Sequence, residues 1–225
     1  MTFLKVLIVS IIAVVIGVVL TTTMEPAPSL GFPWQIEKQS DGTIKVFQIN
    51  LGHTTLGEAE KLLKESAEIT LFSPKQDSAV IEAYFNELFI GGLKAKMVLT
   101  FEVGNEEVEG MFERGLRIST LGSGTRKVTL HTNDEARMRQ KAVSSLTYLP
   151  SINLQTELLE KRFGIPAEKI KDTVGGADHW LYPDLGLDIA LSDDSKEVLQ
   201  YISPKDFAKI TAPLKQTESS ADRQE

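Results

Sequence analysis

The sequence predicts an α+β fold: an N-terminal transmembrane helix, then two units of one helix and a three-stranded antiparallel sheet, with a helical insert between them. Three observations carry this reading. Val6–Leu20 is apolar throughout except for Ser10. A capped amphipathic segment followed by short strand-like runs occurs twice, from Thr55 and from Ser151. Between them, Leu93, Ala95, Met97, Leu99, Phe101 and Val103 alternate with polar residues such as Lys94, Lys96 and Glu102, the period-two pattern of a half-buried antiparallel strand.

The apolar run sets the first expectation. About 20 residues at 1.5 Å each cross a hydrocarbon core of about 30 Å, and Phe3, Leu4 and Thr21–Thr23 extend the run to that length. A cleaved signal peptide is the alternative, but its apolar core is about 7–15 residues and ends at a small-x-small site. Here Glu25 stands at the −3 position before Ala27, and the chain has no Cys to accept a lipid. A helix buried in the body is a third possibility, requiring protein on every side. Lys5 precedes the run and Glu25 follows it, so the positive-inside rule puts the C-terminal body outside the cytoplasm. The expected location is the bacterial inner membrane, single-pass, with a periplasmic body.

The expected organisation is an anchor at 1–23, a linker at 24–33, a first α+β unit at 34–104, an insert at 105–149, a second unit at 150–210 and a polar, disordered tail at 211–225. Pro26, Pro28, Pro33 and Gly31 mark the linker. Asp41-Gly42, between Trp34–Glu37 and Ile44–Ile49, signals a hairpin. Thr55 with Glu58 makes a capping box, and Leu56, Ala59, Leu62 and Leu63 share one helical face. Strands are expected at Glu68–Phe72, Ala79–Phe89 and Leu93–Val103, with Gly91-Gly92 as a break. In the insert, Asn105 and Thr132 read as helix caps, Met138, Ala142 and Leu146 as a helical stripe, and Lys127–His131 as a short strand. In the second unit Ser151 reads as the cap, Ile152, Leu158, Leu159 and Phe163 as the stripe, and Gly164 with Pro166 as the stop. Strands follow at His179–Tyr182, Leu187–Leu191 and Val198–Ile202. Aligning Thr55 with Ser151 matches Leu56, Leu62 and Leu63 to Ile152, Leu158 and Leu159, which suggests a duplication.

The net charge of −7 argues against a nucleic-acid partner, which requires a clustered basic face. Only three histidines are present, His53, His131 and His179, and none has the spacing that places two imidazoles on one metal. Gly122-Ser123-Gly124 lacks the frame of a nucleophile elbow. Asp193-Asp194, Glu106-Glu107 and Asp134-Glu135 have local explanations as turns and first helical turns. No catalytic residue, metal site or cofactor is therefore assigned. Trp180 and Tyr182, on one face of a strand, form a candidate partner-binding surface with Tyr201, and Trp34 is a candidate membrane-interface anchor. Core packing is the competing reading for each.

Arg162-Phe163-Gly164-Ile165-Pro166, then Trp180-Leu181-Tyr182-Pro183 and Leu187-Asp188-Ile189-Ala190-Leu191, resemble the SmpA/OmlA-type unit of outer-membrane assembly lipoproteins. Leu51-Gly52 with Thr54-Thr55 is similar to that family's helix entry. The resemblance implies one or two helices packed on a three-stranded antiparallel sheet, used as a non-catalytic protein-binding scaffold. The chain departs from the family in lacking the lipidated Cys and in carrying two units. The expected function is thus a non-enzymatic, membrane-anchored scaffold or interaction protein of the bacterial envelope, with another envelope protein as partner. A small-molecule sensor with its ligand between the two units is the alternative. An enzyme is the third reading, and requires one of the histidines to meet an acid or a nucleophile in a pocket.

Overall fold

The computed structural model describes residues 29–75, 78–172, 175–192 and 196–221. A small sheet comes first, with β1 (Glu37–Lys38), β2 (Ile44–Val46) and β3 (Ile49–Asn50). The Asp41 carboxylate accepts from the Thr43 amide at 3.1 Å and hydroxyl at 2.7 Å, closing the expected turn. The single strand expected over Ile44–Ile49 is instead folded back at Phe47 and Gln48, with φ of 52° and 64°. Two successive positive φ values make the tight turn that matches strand twist. Burial of the Phe47 ring, 5.0 Å from Tyr148 and 6.2 Å from Tyr201, offsets the strain of a non-glycine residue there.

Helix α1 (Leu56–Leu63) starts at the capping box, with Thr55 Oγ1 accepting from Glu58 N and Glu58 Oε2 accepting from Thr55 N at 2.8 Å. A meander follows: β4 (Glu68–Ser73), β5 (Val80–Ile90) and β6 (Leu93–Phe101). Helix α2 (Asn105–Glu113) is capped by Gly104 rather than Asn105. The next segment is a hairpin, β7 (Arg117–Thr120) and β8 (Arg126–Thr129), where one strand at Lys127–His131 was expected. Helix α3 (Thr132–Met138) takes His131 as its cap, the ring Nδ1 accepting from Asn133 N at 3.2 Å. The helical stripe expected to run on to Leu146 stops there, because Val143–Pro150 forms strand β9. Helix α4 (Thr156–Phe163) begins five residues after the expected cap Ser151, leaving Ile152 exposed outside it. A second meander comprises β10 (Glu168–Asp172), β11 (Ala177–Tyr182), β12 (Leu187–Leu191) and β13 (Val198–Ile202). Helix α5 (Ala208–Ala221) occupies the segment expected to be a disordered tail from Thr211. Its Ile210 and Leu214 pack with Phe207 on Ile170, Leu181 and Ile202, which is enough apolar contact to order it.

All ten strands β4–β13 form one antiparallel sheet in the order β10-β11-β12-β13-β9-β6-β5-β4-β8-β7. This corrects the expected architecture of two separate three-stranded units. The stretch read as helical insert supplies β9, which pairs β6 on one side and β13 on the other and fuses the halves. One face of this sheet carries Phe85, Met97, Leu99, Leu146, Tyr148, Ile189 and Tyr201 into a core shared with β2, β3 and helices α1 to α4. The opposite face carries a second apolar cluster, Ile170, Leu181 and Ile202, at its β10 end, and α5 packs over it there.

The expected transmembrane anchor is not met: no helix among the described residues is long and apolar enough to cross a membrane. Residues 1–23, where it was placed, lie outside the described residues. The single-pass inner-membrane placement, the periplasmic body and the membrane as partner rested on that helix and lose their support with it.

Tyr148 is buried at the centre of the sheet, and its hydroxyl has no hydrogen-bond partner among the described residues. Burial pushes its phenol pKa up. A desolvated, unpaired hydroxyl costs about 1–3 kcal/mol, so Tyr148→Phe is expected to stabilise the fold by about 1 kcal/mol in urea unfolding. A loss of stability would mean that the hydroxyl is satisfied in solution.

Candidate functional site

The three histidines sit in three different places. His53 is exposed and its Nε2 lies 2.5 Å from Asp41 Oδ2. Hydrogen bonds from Thr43, then from His53, hold the Asp41 carboxyl far below the usual carboxylate range. His131 is the α3 cap. His53 also borders an open surface hollow beside α1, with Glu58 and Lys61, whereas His179 enters a groove of about 520 Å³ between the outer sheet face and α5.

Strand geometry builds that groove. His179 on β11 and Asp188 on β12 both point away from the core, because Trp180, Tyr182, Leu187 and Ile189 take the inward positions. His179 Nδ1 lies 2.8 and 3.0 Å from the two Asp188 oxygens, and Asp188 is only 3 % exposed. The Asp188 bond raises the imidazole pKa against desolvation, and the charges of Asp172 and Asp178 add to it. Lys209 of α5 pairs with Glu102 and, at 3.1 Å, with Asp206. Thr100 and Ser145 share a hydrogen bond of 2.5 Å on the floor.

An acid thus meets a histidine in a pocket whose lining includes Ser144 and Ser145. The groove serine Ser145 is out of reach of the ring: it lies on β9, three strands from β11, and three strand spacings are about 14 Å. A triad needs the hydroxyl within hydrogen-bond reach of the base. The other polar groups of the groove mostly satisfy one another. Among the described residues, no group of three or more His, Asp or Glu side chains converges on a metal position.

The expected surface aromatics are not on the surface. Trp180, Tyr182 and Tyr201 are buried. The Trp180 ring takes Lys169 Nζ at 3.9 Å from its centroid. Tyr182 donates to Gly164 O at 3.0 Å, and burial with the Glu160 charge pushes its pKa up to about 12. Tyr201 donates to Pro33 O at 3.0 Å. These rings fasten the chain entry and α4 to the sheet, and so offer no partner-binding surface. Trp34, the expected membrane-interface anchor, is half-buried within the body, stacked on Phe32 at 5.0 Å and on the Arg162 guanidinium at 4.5 Å. Ser123 bonds Thr125 within the β7–β8 turn. Asp193-Asp194 lies outside the described residues.

The accessible feature that the sequence reading passed over is the β7 edge. Ile118 on this terminal strand is 49 % exposed, and Leu116 and Leu121, which flank it on either side, are exposed at 63 % and 42 %. Leu121 N donates to Thr125 O at 2.9 Å. Bonded and non-bonded pairs alternate in an antiparallel ladder, so Arg117 and Ser119 turn their backbone groups toward β8. Ile118 and Thr120 turn theirs outward, where the sheet ends. The signal in the sequence was the short alternation Leu116-x-Ile118-x-Thr120.

No family model, curated protein or solved structure matches the chain.

Proposed function

We propose that this protein is a non-catalytic interaction module that docks a partner protein at the β7 edge of its ten-stranded sheet. The observation that carries the reading is a row of apolar side chains that runs out to that edge. Ile81, Leu71 and Val128 are buried side by side on β5, β4 and β8, and the next residue in the row, Ile118, is half exposed. An added strand would continue both the hydrogen-bond ladder and this apolar row. The other edge supports the contrast, since β10 is packed by α5 over its buried Ile170. The groove at His179 is less suited to a ligand because its polar groups already pair with one another. The SmpA/OmlA resemblance, which implies a protein-binding scaffold, points the same way.

Thr120→Pro tests the reading. Proline removes an outward-facing N–H and is tolerated on edge strands, so the melting temperature should change little. Partners captured by the wild-type full chain should be retained at least about tenfold less by the variant, a loss of about 1.4 kcal/mol. Unchanged capture would overturn the edge as the docking strand.

A further inference from the structure

The chemistry of the partner can be read from the charges around β7. The chain carries a net charge of −7, yet from Arg114 to Asn133 it has four basic residues, Arg114, Arg117, Arg126 and Lys127, and no acidic one. Arg114 is engaged by Asp134 and Lys127 by Glu68. Arg117 is exposed on the edge strand and, among the described residues, has no carboxylate partner. Arg126 lies behind Thr120, donates to Ser73 at 3.1 Å and stacks on Phe112 at 4.4 Å, again without a carboxylate. The edge therefore carries two arginines, Arg117 and Arg126, without a carboxylate partner among the described residues, beside the exposed Ile118, on a chain of net negative charge.

Side-chain alternation separates Ile118 from Arg117, while Arg126 shares the Ile118 face behind Thr120 and is held there against Phe112. Ile118 shares the core face with Val128, while Arg117 and Ser119 look to the opposite face beside Thr129 and Lys127. We propose that β7 accepts an extended segment of a partner protein in which apolar and acidic residues alternate, the apolar ones facing Ile118 and the acidic ones facing Arg117. The inference rests on the edge reading above and adds to it the identity of the partner strand. A second copy of this chain is a poorer occupant, because two β7 strands meeting edge to edge bring their Arg117 cations together.

Labelled peptides of about six residues, the usual strand length, separate the possibilities. One alternates Val with Glu, a second Val with Gln and a third Val with Lys. With the full chain, the Glu peptide is expected to bind at least about tenfold more tightly than the Gln peptide at about 50 mM salt. The gap should shrink at about 300 mM salt as the Debye length falls below about 10 Å, and Arg117→Gln should close it. The Lys peptide should bind most weakly. Amide exchange at Ile118 and Thr120 should slow on binding, which charge attraction without strand pairing does not produce. Equal affinities for the Glu and Gln peptides with those amides still protected would overturn the acidic partner and leave the edge reading standing. Absence of protection with every peptide would overturn both. A dimer formed by the chain alone and broken by Thr120→Pro would assign the edge to a second copy and also overturn the proposal.

Discussion

Gly186→Ala is expected to lower the melting temperature by about 8–16 °C, corresponding to about 4 kcal/mol at the usual slope for a chain of this size. Gly186 sits between the turn Pro183–Leu185 and β12 with φ of 60°. Its N–H donates to Pro183 O at 3.0 Å, and its carbonyl accepts from Ile202 N at 2.8 Å. A methyl group there would drive into the Ile202 carbonyl oxygen and lie 3.2 Å from Pro204 Cδ. Backbone strain of about 1–3 kcal/mol and overpacking of about 1–3 kcal/mol therefore add, against backbone that has no free side-chain end to yield. Gly42→Ala is the control: its φ is 79°, but the new methyl meets nothing within 4 Å. That variant should lose only about 1–2 kcal/mol. Thermal unfolding of the two proteins side by side checks the argument. Equal small shifts would mean that the junction of β12 and β13 relaxes, and that the close approach is not a constraint.

Gly186 closes a Pro-Asp-x-Gly run, and its turn, like other local features, is set by neighbours in the chain. The Thr55–Glu58 capping box, the Asp41-Gly42 turn and the alternation of β6 depend on contacts within a few residues, so their chemistry shows in the order of residues. Sheet order does not. β9 pairs with β6 about fifty residues before it and with β13 about fifty after it. Its alternation of Leu146 and Tyr148 with Thr147 and Leu149 was overshadowed by Met138, Ala142 and Leu146 at helical spacing. Missing β9 split one sheet into two units. The same limit governed the site. Trp180, Tyr182 and Tyr201 are large and amphipathic, which suits either a surface or a core, and only the covering of their face by α4 and Phe47 decides for the core. The β7 strand is four residues long, too short for a period to stand out, and its importance lies in having, among the described residues, no neighbour on one side.

Removing His179 should be nearly as costly as filling Gly186, for an electrostatic reason. His179→Ala leaves the Asp188 carboxylate, 3 % exposed, without its partner. Breaking a buried ion pair from one side costs about 3–5 kcal/mol, so a loss of about 3 kcal/mol is expected in urea unfolding at neutral pH. Adding Asp188→Leu should recover most of it, because the stranded charge is then gone and the site borders Leu181 and Ile202, which are already apolar. The pH dependence has a fixed sign. The Asp188 bond, with the charges of Asp172 and Asp178, raises the His179 pKa in the folded protein. The folded state therefore holds its proton more tightly than the unfolded chain, where histidine titrates near pH 6.5. The stabilisation is fully present below that value and is lost as pH rises through the higher folded value. The stability gap between the wild type and Asp188→Asn should accordingly narrow as pH rises from about 6.5 through the raised folded value. A gap independent of pH would mean that His179 stays neutral beside Asp188. A gap that widens with pH would reverse the assignment of the proton. In either case the pair would be a hydrogen-bonded spacer beneath α5 rather than an ion pair, and the double variant would gain nothing over His179→Ala.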